Sequence, residues 1–474
     1  MTVSPTQRAA LVFIPGMNRS WGEHSLRDVA DDIVNSLQRN SEGVEFAVTP
    51  AETFAYGSSE SPRSARVVTI GRVSVAQADQ PTTPVLDMYE YAYIRDLSAG
   101  LENRPILVRA LFVLWALIRG LLQLVPMLTS RRKGKTTSER LEILYGSVVL
   151  LLYTLLLVIL FIAIVQFTFE AFASAAASLG GQAGPASEPT QAAAVSAQQA
   201  STGVATFFQS TIARLSRFVA LVGAVIWMLL PPKAQIKQAI TDAATDLLAV
   251  DYYLRAGVGG PRLAGDLLGL LDAVREPHRG YRRVDLVSYS FGSVVALNTL
   301  FPYRQPPQAG SPVERLSTLV TIGCPFDFIR LILPSYFENR FGRTDMLKGG
   351  WLNVYTPNDI LGSNFRNDNS VDDPDDYVLP KVSSSDAPPA DPSAAPAFVG
   401  KLKPRNAAYY PGGVPQGKSF LDILVFSGFQ AHSQYWDPSQ SGEASCFDQI
   451  ASFLYAGDSI VPVLKPSPAP DLNT

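Results

Sequence analysis

Cysteine, histidine and charge are all scarce in this chain of 474 residues. Two cysteines, Cys324 and Cys446, are too few for a disulfide framework and read as small buried hydrophobes. Three histidines add no clustered metal-ligand spacing, so neither a metal nor another cofactor is implied. Charged residues make up 17%, against roughly a quarter in an ordinary soluble protein. The balance of 39 basic and 42 acidic residues gives a net charge of -3. No basic field exists to draw the chain to nucleic acid, which is not an expected partner.

Apolar residues, by contrast, reach 47%, and mean hydropathy is +0.12. Most of this surplus lies in a block from Pro105 to Pro232, inside a chain that otherwise reads as a water-soluble α/β protein. Ile143 to Phe169 contains no ionisable residue except tyrosine; about 20 apolar residues suffice to cross a bilayer as a helix. A buried core helix is the alternative, but one would rarely be apolar all round for so long. A second uncharged run, Phe218 to Leu230, is shorter, and extends to a span of about 215–230 only with Arg217 and Arg214 snorkelling to an interface. The stretch Pro105 to Leu128 is broken by Arg109 and Arg119 and followed by Arg131, Arg132, Lys133 and Lys135. That pattern fits a helix lying in the interface, or a poor span. The basic cluster before the first span and Lys233 and Lys237 after the second put both flanks in the cytoplasm by the positive-inside rule, with Arg214 and Arg217 partly against it. Glu170 to Gly203, rich in Ala, Ser, Gln and Gly, reads as the loop on the far side. No signal peptide is expected, because the run Ala9 to Pro15 is too short for its apolar core.

The flanking halves carry strand and helix signals in alternation. Ala10 to Ile14 has the continuous apolar character of a buried parallel strand. A helix is predicted from Ser25, which can cap it, and strands over Val44 to Val48, Ala65 to Ile70 and Leu86 to Tyr93. Helices are expected again over Ile236 to Arg255 and Arg262 to Arg275. Such alternation predicts the α/β class, with a doubly wound, mostly parallel sheet interrupted by an inserted helical membrane hairpin. The expected division is 9–103 and 233–456 for the two parts of the sheet domain, 104–232 for the block and 457–474 for a disordered tail.

Arg283 to Val287 is a strand pattern that runs directly into Ser288-Tyr289-Ser290-Phe291-Gly292-Ser293 and then into a helix over Val294 to Leu300. This is the strand, sharp turn and helix of a nucleophile elbow centred on Ser290, with Ser288 standing where the GxSxG pattern has its first glycine. Small residues are needed at Ser288 and Gly292 because the turn brings strand and helix close together. A serine hydroxyl is a weak nucleophile unless a base takes its proton and a carboxylate orients that base. In the order Ser, acid, His, only His432 qualifies, since His24 and His278 both precede Ser290; it follows a strand-like run, Phe420 to Phe426. For the acid, Asp359 follows the strand Trp351 to Tyr355, and Asp327 follows the strand Leu319 to Ile322 as the competing candidate. Chemistry in open α/β sheets gathers at such carboxyl ends.

On the Phe13-Ile14-Pro15-Gly16 strand end, the Ser288 to Gly292 elbow, the Asn358-Asp359 loop and the His432 segment, the chain resembles the α/β-hydrolase superfamily in its serine esterase and lipase branch. The resemblance covers roughly 9–95 and 233–455. It implies a Ser290–His432–Asp359 triad working through an acyl-enzyme, with the oxyanion held by the backbone N–H groups of Phe291 and Met17. If Met17 and Phe291 serve one site, the block between them must cross the bilayer an even number of times. The expectation is an integral protein of the plasma or inner membrane, its catalytic domain on the cytoplasmic side and its partners a hydrophobic acyl substrate and the lipid bilayer. The rival readings are a membrane-tethered scaffold that keeps the fold without turnover, and an amidase or thioesterase using the same triad. Asp368, Asp372, Asp373, Asp375 and Asp376 read as a solvated turn, lacking the spacing of a calcium loop. Ser383 to Pro396 reads as a mobile insertion, and Trp21 and Trp351 as core.

Overall fold

The structure is a computed structural model, and it describes residues 8–17, 25–41, 44–73, 83–94, 96–97, 249–255, 259–333, 335–343, 346–357, 359, 361–366, 381–383, 398–412 and 431–455. The chain divides into two compact units, one made of Met1–Asn103, Pro126–Gly146 and Ala249–Thr474, the other of Arg104–Val125 and Ser147–Leu248. All described residues belong to the first. Within them no helix is long and apolar enough to cross a membrane; the runs 105–128, 143–169 and 215–230, with the acidic loop, Trp21 and the tail, lie outside the described residues.

The centre of the sheet is β1 (Ala9–Ile14), every residue of which is buried. One edge pairs in parallel with β5 (Thr83–Glu90), Ala9 opposite Leu86, and the other with β6 (Arg283–Tyr289), Ala9 opposite Arg283. Sequence from both sides of the apolar block is thus hydrogen-bonded into one sheet. Beyond β6 lie β7 (Leu316–Ile322), β9 (Gly350–Tyr355) and β12 (Arg405–Ala408), all parallel. Beyond β5 lies the antiparallel β4 (Ser61–Val73), with β2 (Glu45–Val48) and β3 (Glu52–Ser58) along its far edge. Among the described residues this makes a nine-stranded, mostly parallel sheet. A separate three-stranded sheet joins β8 (Phe341–Arg343), β10 (Lys381–Ser383) and β11 (Phe398–Lys401).

Helices cover both faces because β1 alternates its side chains between two apolar cores. Ala9, Leu11 and Phe13 pack with α1 (Ser25–Asn40) and α5 (Phe447–Tyr455). Leu26, Val29, Ala30, Ile33, Val34 and Leu37 of α1 recur at the three- and four-residue spacing that puts them on one face. On the opposite face Ala10, Val12 and Ile14 pack with α2 (Gly259–Val274), α3 (Phe291–Leu300) and the first turn of α4 (Phe326–Ile332). Helix α3 is buried all round except at Asn298. The chain is therefore of the α/β class. From β1 it builds outward through β5 to β2, and from β6 in the other direction to β12. This puts a topological switch point at the carboxyl ends of β1 and β6, the edge at which ligands of such sheets collect.

Within the described residues the predicted strands and helices recur with shifted ends. The strand expected over Leu86 to Tyr93 is β5, which starts and stops three residues earlier; the chain turns at Tyr93, whose N–H donates to the Tyr91 carbonyl. Sequence patterning missed β3, an edge strand with no buried residue, and did not separate the antiparallel β2–β4 edge from the parallel sheet. Of the helix expected over Ile236 to Arg255, residues 249–255 are described and helical. Cys324 and Cys446 are free and fully buried. Trp351 is buried against Phe301 and Phe365, with its indole N–H donating to Thr321 Oγ1 at 3.0 Å.

Candidate active site

The turn from β6 to α3 holds Ser290 at φ 52° and ψ -129°. A residue with a Cβ at positive φ carries local strain, on the order of 1–3 kcal/mol, that its surroundings must impose. Here they do so through two backbone bonds: Ser290 N–H donates to Ile322 O at 2.8 Å, and Ser293 N–H to Ser290 O at 2.9 Å. Gly292 is obligatory, because a Cβ there would lie 2.4 Å from Pro15 O and 2.6 Å from Ile14 O. Ser288 fits the departure from glycine by turning its hydroxyl away from the elbow, donating to Val320 O at 3.0 Å in the buried sheet. The end of β1 meets the same turn: a Cβ on Gly16 would lie 2.9 Å from that of Ser290. The next residue, Met17, is partly buried against the α3 core, and Phe291 is the first residue of α3.

Asp359 sits beyond the carboxyl end of β9, and His432 precedes the short turn Gln434–Trp436. Although separated by 142 and 73 residues, the three expected groups meet. His432 Nε2 is 2.7 Å from Ser290 Oγ, and His432 Nδ1 is 2.8 Å from Asp359 Oδ2. The carboxylate is fully buried and the imidazole 13% exposed, so the line of bonds runs from a dry acid to the half-buried Ser290. Asp359 Oδ1 accepts from the N–H of Leu361 at 2.8 Å. Asp327 is not part of this chain of bonds: in the first turn of α4 it pairs with Arg330 at 3.4 Å and accepts from the Ser363 hydroxyl. Asn358 and the run Phe420 to Phe426 lie outside the described residues.

Two tyrosines without an expected role frame the imidazole. Tyr289 stacks on it, ring centroids 5.3 Å apart, and its hydroxyl donates to His432 O at 2.5 Å. Tyr435 donates to Asp359 Oδ2 at 2.8 Å and accepts from Thr356 N–H at 2.9 Å. Burial, with Asp359 alongside, pushes both phenols well above their ordinary range, so both remain neutral donors. Tyr289 was visible in sequence as the residue before the elbow serine. Tyr435 carried no local signal, because its partner lies 76 residues away.

No family model matches the chain, and neither a curated protein nor a solved structure matches it.

Proposed function

We propose that the chain is a serine hydrolase of the α/β-hydrolase type, anchored in a membrane and acting on a hydrophobic acyl ester. The single observation that carries this reading is the continuous hydrogen-bonded line Ser290 Oγ, His432 Nε2, His432 Nδ1, Asp359 Oδ2 at a strained strand-to-helix turn. His432 takes the Ser290 proton as Oγ attacks the acyl carbonyl, and Asp359 stabilises the imidazolium that forms. The backbone N–H groups of Phe291 and Met17 receive the oxyanion. The imidazolium then protonates the departing alcohol, leaving an acyl-serine. Water, deprotonated by His432, attacks that ester, and return of the proton to Ser290 frees the acid.

The membrane part rests on sequence, chiefly on the uncharged run Ile143 to Phe169. The pairing of β1 with both β5 and β6 adds a constraint on parity. Both flanks of the block belong to one sheet, so a block that spans must cross an even number of times. The scheme has two spans, about 143–169 and 215–230, with 105–128 at the interface and the catalytic part on the cytoplasmic side.

The test is covalent labelling of membranes with a fluorophosphonate probe, comparing the natural chain with Ser290→Ala and His432→Ala. Labelling lost in both variants is expected. Absence of Ser290-dependent labelling in folded protein would leave a scaffold. Turnover of acyl ester, amide and thioester probes decides the class of acyl bond. A reporter fused within Gly180 to Ala200 is expected on the far side of the membrane, and a cytoplasmic reporter overturns the hairpin.

A further inference from the structure

Asp359 Oδ2 is approached by two side-chain donors, the Nδ1–H of His432 and the hydroxyl of Tyr435, each at 2.8 Å. The Tyr435 ring is fully buried, and two backbones are cleared for it. At Gly323 a Cβ would lie 2.8 Å from the Tyr435 ring and 3.1 Å from His432 Cε1. At Gly362 a Cβ would lie 3.0 Å from the Tyr435 hydroxyl and 2.9 Å from Asp359 Oδ2. Gly323 also has φ +54°, so its left-handed backbone and its lack of a side chain serve the same contact. A ring that only filled space would need no donor aimed at the carboxylate. This one delivers its hydroxyl to the very oxygen that faces the imidazole.

We propose that Tyr435 is a positioning residue that sets the basicity of His432 by sharing the Asp359 oxygen that orients it. The proposal rests on the triad reading above. A hydrogen bond to a carboxylate stabilises its charged form and draws density from the accepting oxygen. With the Tyr435 hydroxyl in place, Oδ2 exerts a moderated pull on the imidazolium. Without it, the full charge faces Nδ1, and His432 becomes more basic. The effect is electrostatic and local, because the other titratable groups packed around the imidazole or against Tyr435 are neutral. Tyr289 from β6, Tyr409 after β12, Cys324 after β7 and Cys446 before α5 are all pushed upward by burial, and Ser290 is an un-ionised hydroxyl. Asp359 is the sole carboxylate bonded to the ring among the described residues.

The experiment uses the full chain in lipid nanodiscs with isotope-labelled histidine. Only three histidines occur, His24, His278 and His432, and the His432 signal is the one absent from His432→Ala. In Tyr435→Phe the His432 titration midpoint is expected to rise by about 0.5–1 pH unit. The acid limb of fluorophosphonate inactivation against pH should move with it. Tyr289→Phe, which gives up a bond to a backbone carbonyl rather than to the carboxylate, should leave the midpoint in place. Should Tyr435→Phe fail to fold, a fluorinated tyrosine at position 435, a stronger donor of the same shape, must lower the midpoint instead. A midpoint unmoved by either change overturns the proposal and leaves Tyr435 a packing residue. The two readings fail separately: a moved midpoint without Ser290 labelling supports the shared oxygen and sinks the hydrolase, whereas labelling with an unmoved midpoint does the reverse.

Discussion

The two sides of β1 are held together differently. Toward β6, β7 and β9 the sheet is parallel and buried, and at its carboxyl ends stand Ser290, Asp359 and the segment bearing His432. Toward β4 it is antiparallel and more exposed, and charge ties it down. Arg63 bridges Asp96 at 2.6 Å and Asp266 of α2 at 2.9 Å, and Arg66 pairs with the buried Glu90 at 2.5 Å. The carboxyl end of a parallel strand runs into a crossover loop that can present a side chain at the sheet edge, whereas antiparallel neighbours spend one shared end on a turn. One side therefore carries the candidate chemistry, and the other closes the sheet.

Changes on the parallel side should destroy labelling, and changes on the other side should touch stability alone. Ser290→Gly is expected to abolish fluorophosphonate labelling while raising the melting temperature, because glycine relieves the positive φ. A variant that still labels moves the nucleophile elsewhere. Asp359→Asn should slow labelling on the order of 10³-fold or more, by fixing the wrong imidazole tautomer. Asp327→Asn, outside the relay, should label at the natural rate, and equal losses in the two would reopen the choice of acid. Gly292→Ala should destabilise the fold by about 3 kcal/mol, since its Cβ meets two backbone carbonyls that have no room to yield; thermal unfolding measures it.

On the antiparallel side, Arg63→Met should cost about 1–2 kcal/mol, its pairs being partly buried. Labelling should stay within about twofold of the natural chain, and a large drop would join the two sides functionally. The smallest effect concerns Asp32 on α1, whose carboxyl is pushed up from 3.8 to about 6, first by burial and then by Asp28. A folded-state value above the unfolded one means that the group's stability contribution is complete below about pH 3.8 and is lost as pH rises through about 6. Asp32→Asn should therefore raise the melting temperature at pH 7 and leave it nearly unchanged at pH 4. The same gain at both values would remove the carboxylate as its cause.

Much of the parallel side was legible before the structure. A continuous apolar run names β1, the Arg283 to Val287 pattern names β6, small residues around Ser290 name the elbow, and chain order leaves His432 as the sole candidate base. Sequence favoured Asp359 over Asp327, but both follow a strand at the same edge, and the fold is what places Asp359 2.8 Å from the imidazole. Strand β3 was not legible: it buries none of its residues fully, and its period of two rests on Phe54 and Tyr56 alone. Tyr435 was hidden for a third reason: its meaning lies in a partner far along the chain and in two glycines that make room for it. Local pattern reports burial well and long-range polar contact poorly.

The central position of β1 also sets the timing of synthesis. Its edge toward β5 can pair as soon as residue 90 has emerged, but its other edge waits for residues 283–289. At about 5–20 residues per second that wait is roughly 10–40 s, during which the block is made and the core strand lies open on one side. An open strand edge is a template for wrong pairing. The nascent chain must therefore keep β1 shielded until β6 arrives, and Ser290, next in line after β6, can take its strained conformation only once that edge has closed.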